Sequence, residues 1–147
     1  MLGRKIVCLA RLSRRLLLMR SRNAHEDTLL FSMTLEYLET YMPKQLGLSP
    51  QTIKAHRDAL TVFRRFLLEE KKVSIQRFAF AECTPALMQD FIVHMKSIGN
   101  STSTCNRRLS SIRSYLWFAS NRNIALQSVA LRMAKIPSCC ISSSTFP

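Results

Sequence analysis

A chain of 147 residues with 47% apolar content holds one domain of ordinary size with a real core, which excludes wholesale disorder. Its 22 Lys and Arg against 9 Asp and Glu give a formal charge of +13, which favours polyanionic partners, with nucleic acid the first candidate and an anionic membrane surface the second. No apolar run approaches the about eighteen residues that span a bilayer, and Leu16 to Met19 has arginine on both sides.

In chain order, residues 1–27 form a basic extension. Arg4, Lys5, Arg11, Arg14, Arg15, Arg20 and Arg22 occur before any acid, with leucines between them in a loosely amphipathic pattern. The composition resembles an organelle-targeting leader, and it equally suits a basic arm on nucleic acid or an extension without structure. It is read as non-globular, disordered or loosely helical. The folded unit is expected over residues 28–137, with residues 138–147 as a Ser- and Cys-rich tail.

The first helix is expected over residues 29–42, where Leu30, Phe31, Met33, Leu35, Tyr37, Leu38, Tyr41 and Met42 make an apolar face and Pro43 ends it. The second, over 50–70, has the clearest start. Ser49 caps the free backbone N–H groups, and Pro50 takes the first helical position, where its missing donor costs nothing. At about 100° per residue, Ile53, Ala55, Ala59, Leu60, Val62, Phe63, Phe66 and Leu67 fall on one half of that cylinder. Lys54, Arg57, Thr61, Arg64 and Arg65 fall on the other. His56 lies near the edge of the core half and is read as a packed histidine.

Residues 71–83 place Val73, Ile75, Phe78 and Phe80 between polar residues, which predicts an extended or irregular crossing. Thr84 and Pro85 repeat the cap-and-proline start for a third helix over 85–98, and Gly99 supplies its left-handed exit. A polar turn from Asn100 to Ser103 leads to a fourth helix over 104–120. Cys105, Leu109, Ile112, Tyr115, Leu116 and Ala119 face one way there, and Asn106, Arg107, Ser110, Arg113 and Ser114 the other. Trp117 and Phe118 fall off the apolar stripe and are expected at the domain's edge or against a partner. A fifth helix is expected over 124–135, before Pro137. The fold class is therefore all-α, with four to five helices.

No catalytic constellation emerges. His25, His56 and His94 have no nucleophile or metal-ligand spacing around them, and three glycines cannot build a phosphate-binding loop. The five cysteines are odd in number, scattered and without zinc-ligand spacing, which fits a reducing cytoplasm. No metal, other cofactor, small-molecule substrate or membrane is expected. What remains is two helices with basic polar faces, in a chain with no acid after Asp90. Arg and Lys neutralise phosphates, and Asn, Ser, Thr and Arg reach base edges from a helix in the major groove.

One set of residues carries a family resemblance. Tyr37-Leu38-Glu39-Thr40-Tyr41-Met42-Pro43, Gly47-Leu48-Ser49-Pro50-Gln51-Thr52-Ile53, Ser101-Thr102-Ser103-Thr104 with Asn106, Arg108-Leu109 and Ile112-Arg113-Ser114, and finally Ile136-Pro137 occur in family order and spacing. In these the chain resembles the N-terminal, core-binding SAM-like domain of tyrosine recombinases, the phage integrase family. The resemblance implies that the second and fourth helices face duplex DNA. The contacts it selects, together with the helix faces, are Thr52, Lys54, Arg57 and Arg64 on the second, and Thr104, Asn106, Arg107, Arg108 and Arg113 on the fourth. Arg108 points toward the apolar side, where it would brace another helix. Cys105 stands where related recombinases often place Arg, which implies one basic contact fewer. The family's catalytic arginines, lysine, His-x-x-Arg motif and tyrosine belong to a second domain with no counterpart in these residues, so the chain is expected to be non-catalytic and truncated from a mobile-element recombinase of DNA integration. The rival expectations are a helical module that docks a full-length recombinase protomer through Trp117, Phe118 and the last helix, and a remnant without selected function.

Overall fold

Ser49 and Thr84 each stand before a proline, and each opens a helix as that spacing predicts. The Ser49 side chain accepts from Thr52 N–H and that of Thr84 from Leu87 N–H, both at 3.2 Å. The computed structural model describes residues 28–138. The expectations for the extension 1–27 and for the tail from residue 139 onward fall outside the described residues.

Helix α1 is α-helical over Thr34–Glu36 and continues without a break as a π-helix over Tyr37–Gln45. It is followed by α2 (Pro50–Glu69), a 3-10 turn (Phe80–Glu82), α3 (Pro85–Ser97), α4 (Thr102–Arg122), a second 3-10 turn (Ile124–Leu126) and α5 (Gln127–Ala134). Among the described residues there is no strand; Leu29 and Ala79 form an isolated antiparallel bridge.

Three helix boundaries need correction. Pro43 does not end the first helix. In an α-helix its ring would press on the carbonyl of Glu39, but the wider π-turn, closed by Leu46 N–H on the Tyr41 carbonyl at 3.0 Å, carries the chain past it. The exit comes at Gly47, whose φ of +61° suits a residue without Cβ. The same helix starts late, because residues 29–33 make tight turns tied to the crossing segment by Leu30 N–H on the Phe78 carbonyl at 2.8 Å. Finally, α4 begins two residues early, since Ser101 and not the following Ser103 is its cap, accepting from Thr104 N–H at 3.2 Å. The crossing otherwise agrees: Ile75, Phe78 and Phe80 are buried, and Gly99 leaves α3 with φ +88°.

Aromatic contacts tie the helices together across the core. Phe63 of α2 meets Phe91 of α3 edge to face at 5.0 Å between ring centres, and Tyr37 of α1 meets Tyr115 of α4 at 5.2 Å. Phe118, expected at the edge, is instead buried against Tyr37 and Tyr41 at 5.1 and 4.6 Å. Helix α4 is packed by α2, α3 and α5 and by the aromatic side chains of α1, so its apolar surface is broader than one stripe. Trp117 does stay half exposed. Arg122 closes that end of the domain, with its guanidinium on Glu36 at 2.8 Å and over the Phe118 ring.

Candidate nucleic-acid interface

Helices α2 and α4 pack against each other, and the N-terminal halves of both line a shared groove. A groove of about 310 Å³ runs between them, lined by Gln51, Lys54, Ala55 and Asp58 of α2 and by Thr104, Arg107, Arg108 and Ser111 of α4. A second groove, about 320 Å³, shares Gln51, Ala55, Arg107 and Ser111 and adds Thr52, His56 and Ser110. Both helices thus turn basic and hydroxyl side chains of their N-terminal halves, where the helix dipole is positive, toward the same volume, which is a physical basis for attracting phosphate oxygen.

The local chemistry of the two starts is alike. Ser49 and Thr52 hydroxyls sit 3.0 Å apart, as do those of Ser101 and Thr104. Since Ser101 donates to Thr104, the Thr104 hydroxyl keeps its own proton available to an acceptor outside. Lys54 and Arg107 are exposed, and their charged groups have no partner among the described residues. Asp58 is the one carboxylate lining these two grooves, and it opposes an incoming phosphate at the inner end.

Of the nine residues selected from the sequence, Thr52, Lys54, Thr104, Arg107 and Arg108 line these two grooves. Asn106 is half-buried on α4 and lines neither. Arg57 and Arg64 are exposed on the other flank of α2, beside a smaller groove of about 120 Å³ with Phe31, Thr34 and Leu38. Arg108 does brace the fold: it donates to the Asn100 Oδ1 at 2.9 Å, while the Asn100 amide donates to the Met95 carbonyl, locking the turn between α3 and α4. Arg113 is also committed, since its guanidinium donates to the carbonyls of Met133 and Ile136 and satisfies the end of α5. Cys105 is fully buried, so the residue at that position packs in the core and is not on the groove surface. Sequence reasoning did not select Gln51, His56, Ser110 or Ser111 as contacts. The spacing of Gln51, Ala55 and Asp58 along one flank of α2 was the available signal.

Two of the domain's three tyrosine hydroxyls are engaged inside the fold. Burial pushes the Tyr37 hydroxyl well above its ordinary range and that of Tyr115 up to about 12; the first is 3.0 Å from His56 Nδ1, and the second donates to the Leu30 carbonyl. Tyr41 is stacked on Tyr37 at 6.0 Å. Among the described residues no cluster of His, Cys, Asp and Glu could hold a metal ion, and no helix is long and apolar enough to cross a membrane.

Residues 35–123 match the family described as phage integrase, N-terminal SAM-like domain. The chain belongs to that family. The matched span begins in α1 and ends just past α4, so it contains both helices of the groove and the aromatic core that holds them together. Comparison with curated proteins and with solved structures returned no match. The integrase-family SAM-like domain is the part of the family found in this chain, and it is all-α, as the helix periodicities and proline starts imply.

Proposed function

We propose that this SAM-like domain binds duplex DNA through the α2–α4 groove and does no strand chemistry of its own. The observation that carries the reading is the groove that brings Lys54 of α2 and Arg107 of α4 together, both charges unpartnered among the described residues, in a chain of formal charge +13. Lys54 and Arg107 neutralise phosphates on either side of the groove. Gln51, Thr52, Thr104 and Ser110 supply hydroxyl and amide groups beside them for sugar, phosphate or base edges. Arg57 and Arg64 extend the positive surface along α2 and steer the approach without sharing the groove. With the Tyr37 and Tyr115 hydroxyls engaged inside the fold, the domain acts as a grip in recombination and integration, alone or beside a full-length recombinase protomer.

The test is chemical-shift mapping of the full chain against a short duplex. Changes are expected in the first two turns of α2 and α4, around Gln51–Ala55 and Thr104–Ser111. Changes centred on α3, around Asp90 and Val93, would place the contact elsewhere and overturn the reading.

A further inference from the structure

His56 lies one turn along α2 from Thr52 and lines the second groove with Thr52, Arg107 and Ser110. Its Nδ1 is 3.0 Å from the Tyr37 hydroxyl, and its Nε2 has no partner among the described residues. In the tautomer whose Nδ1 accepts from the Tyr37 hydroxyl, the neutral imidazole carries its proton on Nε2, which leaves an N–H donor for the groove. Because a phenol hydroxyl both donates and accepts, protonating the ring keeps the contact and reverses it, with Nδ1–H donating to the Tyr37 oxygen. Tyr37 cannot drift, since it is 2% exposed and packed against Tyr41, Tyr115 and Phe118.

We propose that His56, oriented by Tyr37, is a proton-linked phosphate contact, so that duplex binding takes up a proton at this imidazole. The proposal rests on the DNA-binding reading above and adds to it a residue that sequence reasoning assigns to packing. The groups around the ring are Tyr37 from α1, Arg107, Ser110 and Ser111 from α4, and Thr52 on α2, with Arg57 and Asp58 next to it in sequence. No carboxylate lines the groove that holds it. In the free chain the neutral ring is favoured, because burial lowers the His56 pKa. A phosphate entering there brings the missing negative charge and raises that pKa. A group whose pKa rises on binding makes affinity increase as pH falls, through the window between its bound and free values.

The test is duplex affinity of the full chain from pH 8 to 5.5 at constant salt, read by anisotropy of a labelled duplex. Wild type is expected to tighten on acidification by up to about tenfold per pKa unit gained. His56→Gln should flatten the profile while binding at pH 8 within a few-fold of wild type, and Tyr37→Phe should blunt it. His25→Gln and His94→Gln should keep it. Should His56→Gln fail to fold, the wild-type imidazole resonance of His56 answers the same question, with a rise in its pKa expected on adding duplex. An unchanged His56 pKa, or a wild-type pH profile in His56→Gln, overturns the proposal and leaves DNA binding standing. Absence of duplex binding at every pH overturns both.

Discussion

Lys54→Ala combined with Arg107→Ala is expected to weaken duplex binding by on the order of tenfold or more near physiological salt, and to lower the slope of log affinity against log salt by about 2. Each side chain is one cation on one wall of the groove, and each neutralised phosphate releases about one condensed counterion. Neither charged group is engaged within the described domain, so removing both should leave the unfolding midpoint close to wild type. Arg108 and Arg113 would give a less readable result. Truncating either one frees acceptors inside the fold, on Asn100 or at the end of α5, and mixes a stability loss with any loss of contact.

Phe63→Ala is expected to cost about 3–5 kcal/mol of stability, a large share of the about 5–15 kcal/mol typical of a domain. Phe63 is fully buried on the face of α2 opposite Lys54, in contact with Phe31, Phe66 and Phe91. Alanine there leaves a cavity that rigid aromatic neighbours cannot close, whereas Phe63→Leu fills much of it and should cost markedly less. Urea unfolding of the two variants checks this. Equal, small losses from both would mean that α2 is not anchored through this ring. Because the same helix carries the groove wall, DNA affinity of Phe63→Ala should fall with the folded fraction.

What was legible in the sequence was whatever local chemistry decides. Ser49-Pro50 and Thr84-Pro85 set two helix starts, Gly99 set an exit, and the apolar spacing of Leu109, Ile112 and Leu116 picked out the buried side of α4. The π-turn around Pro43 was not legible, because a shift to five-residue hydrogen bonding leaves no periodic mark in nine residues. The run Ser101-Thr102-Ser103-Thr104 offers several possible caps in succession, and the Asn100 contacts with Met95 place the break at Ser101. Phe118 was misplaced because a helical wheel shows one helix, while its burial comes from Tyr37 and Tyr41 of another. The same limit applies to the site. Periodicity put Arg57, Arg64 and Lys54 on one polar half of α2, but only the position of α4 separates Lys54, on the groove, from Arg57 and Arg64 on the far flank. The reach of Arg113 to carbonyls 20 and 23 residues away has no local signature at all.

The central claim is that the helix groove, and not the basic extension, is the binding element. The most direct measurement is a salt titration of duplex affinity for three proteins side by side: the full chain, the chain without residues 1–27, and the full chain carrying Lys54→Ala and Arg107→Ala. Removing the extension takes away seven basic residues at once, so a weaker nonspecific attraction at low salt is expected, with binding retained at higher salt. The double variant is expected to lose affinity across the whole titration. If the double variant instead bound like wild type while loss of residues 1–27 abolished binding, the extension would be the DNA-binding element and the groove would not.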